Sequence, residues 1–225
     1  MKDIKDLNDF SVINIFNDEE CVEIINSVDG NSDKLEVSDS YGGVEISAYE
    51  IPITKLDYDV FKLIRDKVSC LTSLTLAQSF IIKYNSDLLS YMPAHYDFTT
   101  VSVIINLNTN FNDGGTHFPL LKHTHKAQDY NNGDALVFKA DKLSSIHEAL
   151  SVTSGTRYVI NLKFDEKRNF FNFVWNFIKL SLSFSYNKIK YKIWLVRNVK
   201  KINLYCLIDL ILVLKIFVKI LVIIF

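Results

Sequence analysis

The alternation of apolar and polar positions changes period along the chain, and the changes mark its organisation. Ser11-Val-Ile-Asn-Ile-Phe16 alternates weakly and predicts a strand. Asn17 follows as a helix N-cap, and Glu20 three positions later completes a capping box. A short helix with Cys21, Ile24 and Ile25 on its apolar face should therefore come next. Over 56–71, Val60, Leu63, Ile64, Val68 and Leu71 recur at helical spacing and predict a second helix.

From Leu74 the period shortens to that of strands, in the runs 79–84, 99–107, 134–138 and 158–164. Asn112-Asp-Gly-Gly115, Asn131-Asn-Gly133 and Thr153-Ser-Gly155 lie between or beside them and supply residues that tolerate positive φ. Short strands joined by tight turns predict an α+β, mainly β protein: a jelly-roll or barrel core over about 74–166 behind two helices.

Near Arg168 the pattern changes again. Residues 169–225 contain no Gly, Pro, Ala, Thr or Glu and a single acid, Asp209, so the sequence divides into a domain over 1–168 and a hydrophobic, helix-prone tail over 169–225. Leu204 to Phe225 has the length of a membrane span, about 20 residues, but Asp209, Lys215 and Lys219 interrupt it, and a basic link from Lys188 to Lys201 precedes it. Three readings of the tail stand open: membrane contact, a helix packed on the domain or a partner, and a biased extension without a selected role.

A formal net charge of -1 over 225 residues gives no global basic field, so nucleic-acid binding is not expected. Cys21, Cys70 and Cys206 are widely separated and read as reduced thiols, and the charged amino terminus lacks the apolar core of a secretory signal. A cytoplasmic protein, membrane-associated if the tail anchors it, is the expectation.

Chemistry enters with the five histidines. Only His95 is followed two residues later by a carboxylate, Asp97, and in extended chain these side chains share a face and can reach one ion. For a third ligand His147 is favoured over His117, His123 and His125, because a strand through it would turn at Thr153-Ser-Gly155 and return with Arg157, a hairpin that puts both in one cavity. Two imidazoles and one carboxylate grip one face of Fe(II) and leave the other positions open. Arg157, one of four arginines, could clamp a co-substrate carboxylate in a bidentate pair. His123 and His125 read as part of a solvated loop, and His117 as a residue bordering the pocket without binding metal.

The run from His95 to Asn108, then Asp113-Gly-Gly-Thr-His-Phe-Pro119, Asn132-Gly-Asp-Ala-Leu-Val-Phe138 and His147-Glu-Ala-Leu-Ser-Val-Thr-Ser-Gly-Thr-Arg-Tyr158 together resemble the catalytic domain shared by prolyl 4-hydroxylases and procollagen lysyl hydroxylases, the last block resembling the lysyl branch most. Ala149 and Ser151 depart from that branch, which tends to have Gly and Pro there. The resemblance implies a double-stranded β-helix with iron on His95, Asp97 and His147, 2-oxoglutarate anchored by Arg157, and Tyr84 lining the co-substrate. It further implies hydroxylation of a C–H bond with release of succinate and CO2, L-ascorbate as an accessory, and a substrate that is a peptidyl proline, a peptidyl lysine or a small molecule. Two rivals remain: a zinc hydrolase on the same ligands, which leaves Arg157 unexplained, and a non-catalytic β-helix binding module tethered to a membrane.

Overall fold

The computed structural model describes residues 3–41, 44–88, 91–97 and 99–166. The tail over 169–225, with its membrane readings, lies outside the described residues, and among those described no helix is long and apolar enough to cross a membrane.

Among the described residues, thirteen strands and two α-helices follow one another in the order β1 (Phe10–Asn14), α1 (Asp18–Gly30), β2 (Glu36–Tyr41), β3 (Val44–Pro52), α2 (Tyr58–Ser69), β4 (Thr75–Asn85), β5 (Met92–His95), β6 (Val101–Asn106), β7 (Asn112–Asp113), β8 (Gly115–Phe118), β9 (His123–Lys126), β10 (Asp134–Lys139), β11 (His147–Ala149), β12 (Val152–Ser154) and β13 (Thr156–Asp165). The larger sheet runs β1-β10-β6-β13-β4-β3-β2, a smaller one β5-β11-β8-β9, and β12 pairs with β7. The strand pairs are antiparallel throughout, as expected of a jelly roll.

The helices form where their sequences dictate. Asn17 Oδ1 accepts from the Glu20 amide at 2.8 Å while the Glu20 carboxylate accepts from the Asn17 amide at 2.9 Å, the reciprocal box that starts α1. Cys21, Ile24 and Val28 of α1 and Val60, Ile64 and Val68 of α2 are buried against one face of the larger sheet. Asp57, the N-cap of α2, makes no cap bond of its own; its carboxylate accepts from Ser27 Oγ at 2.7 Å and from Asn31 Nδ2 at 3.4 Å, tying α2 to α1.

Period-two patterning then assigns the sheet's two faces. Val101, Val103 and Ile105 of β6 and Tyr158, Ile160, Leu162 and Phe164 of β13 belong to the core beneath the helices. The intervening residues, Ser102, Ile104 and Asn106 on β6 and Arg157, Val159, Asn161 and Lys163 on β13, face the opposite way, toward the smaller sheet. The hairpin β2–β3, which no pattern in the sequence announces, extends the larger sheet beyond β4.

Gly133 fixes the approach of β1 to β10. Its φ is +79°, its carbonyl accepts from the amides of Ile15 and Phe16, its amide donates to Asn106 O at 2.7 Å, and a Cβ there would sit 1.8 Å from Phe16 O. Gly133→Ala is expected to cost about 1–3 kcal/mol, lowering the melting temperature by several degrees, about 2–4 °C per kcal/mol for a domain of this size. A thermal denaturation curve coincident with wild type would contradict this account of the turn.

Candidate metal centre

β5 ends on His95, and β11 begins on His147, which lies directly opposite it in the strand register. The two imidazole centroids are 4.3 Å apart. Asp97 lies two residues beyond the end of β5, with Oδ1 3.4 Å from His95 Nε2 and Oδ2 3.6 Å from His147 Nε2. All three residues are buried, and one ligand atom from each lies within 4.8 Å of the others, the one such group found among the described residues. His147 is held by ring contacts with Phe138 at 4.9 Å and Phe118 at 5.7 Å between centroids.

The ring orientations decide which nitrogens can ligate. His95 Nδ1 lies 2.8 Å from Pro93 O, and His147 Nδ1 lies 2.9 Å from Ser145 O. A carbonyl oxygen can only accept, so in each neutral ring the proton resides on Nδ1 and the Nε2 lone pair is directed toward Asp97. Outer partners of this kind are what orient histidine ligands in metal sites. Burial by itself would raise the Asp97 carboxyl, but Lys163, His147 and His95 together hold it well below the ordinary carboxylate range. Burial, reinforced by His95, pushes His147 down to about 4. An ionised Asp97 carboxylate beside a His147 imidazole held neutral is the protonation pattern that a divalent cation requires.

Two further side chains position Asp97. Ser102 Oγ, from the inward row of β6, donates to Oδ2 at 2.6 Å, and Lys163 Nζ, from the inward row of β13, is 2.7 Å from Oδ1. Neither belongs to the expected site. The available signal was the alternation Arg157, Asn161, Lys163 within an otherwise apolar strand, which marks an inward polar row. Glu50 of β3 is close to the same cluster; burial raises its carboxyl while Lys163 acts in the opposite direction.

His95, His147, Arg157 and Tyr84 line one pocket, together with Met92, Ile104, Thr116, Ala149, Val159 and Asn161. Arg157 is 4% exposed, and among the described residues no carboxylate lies within ion-pairing distance of it. Its Nη1 donates to Gly115 O at a long 3.4 Å, its Nε has no partner, and its guanidinium lies over the Tyr84 ring at 5.6 Å. Tyr84 is its register partner across β13 and β4. Burial pushes the Tyr84 hydroxyl up to about 12 although Arg157 acts to lower it, so the phenol stays protonated as a donor.

Three sequence expectations need correction. His147 and Arg157 do not share a hairpin: β11 pairs with β5 and β8 in the smaller sheet, whereas β13 pairs with β4 and β6 in the larger one. They meet because the sheets face each other across one cavity. His117 lies outside the pocket that its neighbour Thr116 lines, since alternation along β8 turns it away; its Nδ1 is 2.8 Å from Thr124 Oγ1. His123 and His125 are in strand β9, not in a loop, and although His123 is exposed, His125 is half-buried beside Phe10 and Tyr130.

Comparison with known proteins agrees with this geometry. No protein-family model matches the chain. A "Putative prolyl 4-hydroxylase" of Acanthamoeba polyphaga mimivirus is 39% identical over 75 residues, 30% of this chain and 30% of that one. The "Procollagen lysyl hydroxylase and glycosyltransferase" of the same virus is 29% identical over 172 residues, covering 68% of this chain and 19% of the relative. Among solved structures, a prolyl hydroxylase of Trichoplax adhaerens in complex with a hypoxia inducible factor peptide superposes with a TM-score of 0.56 at 17% identity, covering 71% of this chain and 84% of that one. The viral collagen prolyl hydroxylase of Paramecium Bursaria Chlorella virus-1, in its 2OG complex, gives 0.53 at 18% identity, covering 72% and 98%. The fold is that of the prolyl hydroxylases. The resemblance carried by the four sequence blocks is thus matched by relatives bearing both hydroxylase names, although the chain spans only 30% and 19% of their lengths.

The buried imidazole has a consequence for the metal-free protein. Because the folded His147 titrates near 4 and an unfolded histidine near 6.5, the unfolded state takes up a proton between those values that the folded state refuses. Stability from this group is present above about pH 6.5 and falls as the pH drops toward 4. Melting temperature measured against pH in the metal-free protein should decline through this window, and His147→Gln should flatten the decline; an unchanged pH profile in that variant would count against a buried neutral imidazole.

Proposed function

We propose that the chain is an Fe(II)- and 2-oxoglutarate-dependent oxygenase that hydroxylates a C–H bond of a peptide or protein, peptidyl proline or lysine being the leading substrates. The observation that carries this reading is Arg157: a guanidinium buried with no anionic partner among the described residues, in a pocket also lined by both histidines of a two-histidine, one-carboxylate cluster. A buried cation left unpaired is costly, by several kcal/mol per ion, so the pocket is built for an anion that also reaches the metal. A 2-oxo acid with a second carboxylate has that form.

The residues fit the metal. His95 Nε2, His147 Nε2 and one Asp97 oxygen would hold it, with Pro93 O, Ser145 O, Ser102 and Lys163 fixing their orientation. When bound, iron would supply the activation of O2 that couples loss of CO2 from 2-oxoglutarate to hydroxylation, one oxygen atom going into succinate and the other into the substrate C–H bond. Arg157 binds the distal carboxylate in a charge-assisted pair. Tyr84, protonated and stacked on Arg157, offers a hydroxyl to the same carboxylate. Met92, Ile104 and Val159 wall the pocket with apolar surface, which excludes water and strengthens each of these contacts. L-ascorbate, implied by the family resemblance, is carried in this proposal as an accessory reductant.

A peptide as substrate is supported by the peptide-bound structural neighbour and by the procollagen-directed name of one relative. The zinc hydrolase reading gives Arg157 no role. A purely non-catalytic binding module gives none to the three-ligand cluster.

Succinate release from 2-oxoglutarate, measured with Fe(II) and a peptide panel containing proline and lysine, tests the proposal. His95→Ala and Asp97→Ala should abolish turnover. Arg157→Ala should raise the KM for 2-oxoglutarate by about thirtyfold or more, the loss expected on truncating one partner of a buried charge pair, about 2 kcal/mol or above. Sustained turnover in Asp97→Ala would defeat the assignment of the metal centre.

A further inference from the structure

Beyond Arg157 lies a second pocket, lined by Asn106, His125, Ala127, Tyr130 and Leu136 and sharing Ile104, Thr116 and Arg157 with the first. Three of its polar atoms are unmatched. Arg157 Nε, His125 Nε2 and Asn106 Oδ1 are all buried without a hydrogen-bond partner, and Arg157 and Asn106 are each 4% exposed. Three unsatisfied groups converging on one small space are unusual, because each costs about 1–3 kcal/mol when left unpaired.

His125 can be given a tautomer. Tyr130 Oη lies 2.8 Å from His125 Nδ1 and has no other hydrogen-bond partner among the described residues. If Nδ1 carried the ring proton, the phenolic proton would be the one left without an acceptor. With Tyr130 donating to Nδ1, the ring proton is on Nε2, the atom without a partner in this pocket. Phe10 stacks on the ring at 5.6 Å between centroids, and a Cβ at Gly115 would lie 2.5 Å from His125 O, so strand and ring are both held in place. Burial, with help from His123, lowers the His125 pKa, so the ring is neutral and donates without adding charge.

We infer that His125, set by Tyr130, is a second anchor for the distal carboxylate of the 2-oxo acid, donating from Nε2 beside Arg157. This deepens the proposed function and rests on it. Arg157 would supply charge and His125 a neutral directional donor, so that this end of the pocket distinguishes a dicarboxylic 2-oxo acid from a monocarboxylic one. His123, two residues earlier on the same strand, is exposed and does not line this pocket.

The experiment is calorimetric binding of 2-oxoglutarate and of pyruvate to the full chain loaded with Mn(II), which removes turnover from the readout. His125→Leu should weaken 2-oxoglutarate binding by about tenfold or more, the worth of one hydrogen bond to a charged group, and leave pyruvate, which lacks the distal carboxylate, unchanged. Tyr130→Phe, which keeps the ring and frees the tautomer, should weaken 2-oxoglutarate binding by a smaller factor in the same selective way. Unchanged 2-oxoglutarate affinity in His125→Leu overturns the inference, and so does an equal loss for both acids, which would mark His125 as structural. Wild type that binds Mn(II) but not 2-oxoglutarate would overturn this inference and the oxygenase reading together; 2-oxoglutarate binding that depends on Arg157 but not on His125 would overturn the inference alone.

Discussion

Strand β13 has two faces that must be satisfied at once, and the rest of the site follows from how they are. Tyr158, Ile160, Leu162 and Phe164 take their place in the core under α1 and α2, and burial of four large apolar side chains favours that placement by roughly 1.5–3 kcal/mol each. A period of two leaves no freedom for the alternate residues: Arg157, Asn161 and Lys163 must then point into the space between the sheets. Slipping the register by one would exchange the rows, setting two cations among the helices and four apolar groups in the cavity. The helical layer therefore holds the charged row of the site in place without touching it.

Those two cations behave differently because their neighbours differ. Lys163 is matched by Asp97, and the pair keeps the carboxylate ionised in a setting where burial would otherwise protonate it. Arg157, six residues earlier on the same row, has a tyrosine face and one long bond to a carbonyl but no carboxylate among the described residues. One end of the row is thus electrically settled around the ligand cluster and the other end is not. A molecule bridging them would bring its negative charge to Arg157 and its chelating end to the cluster, so its orientation follows from the charge pattern alone.

Much of this was legible in the chain, and the parts that were not share a cause. The capping box at Asn17 and Glu20, the apolar stripe of α2 and the His95-x-Asp97 pair are local patterns, and each forms where the sequence places it. His147 and Arg157 were correctly joined in one cavity for a mistaken reason, because ten residues of sequence cannot tell a hairpin from a chain that crosses between two facing sheets. His125 looked solvated amid Lys122, Lys126 and Gln128, since a short edge strand with one half-buried histidine has the composition of a loop. The β2–β3 hairpin was missed for a similar reason, being rich in Ser, Asp and Glu at the edge of a sheet. Lys163 and Ser102 are joined to Asp97 through long-range packing, which no spacing rule encodes.

A pocket left with unmatched groups couples its ligand to the stability of the whole domain. The unpaired Nε of Arg157 and the unmatched atoms of Asn106 and His125 lie on β6, β9 and β13, strands drawn from both sheets. The cost of leaving them unsatisfied falls on the folded state only, since an unfolded chain hydrates them. An anion that accepts from Arg157 and His125 in the folded protein and nowhere else stabilises that state in proportion to its occupancy. A metal held as proposed would act in the same sense at the other end, where β5 and β11 of the smaller sheet carry the histidines and Lys163 of the larger sheet meets Asp97. Co-substrate and metal bound as proposed would each draw the two sheets together, adding to the closure that the apolar core provides.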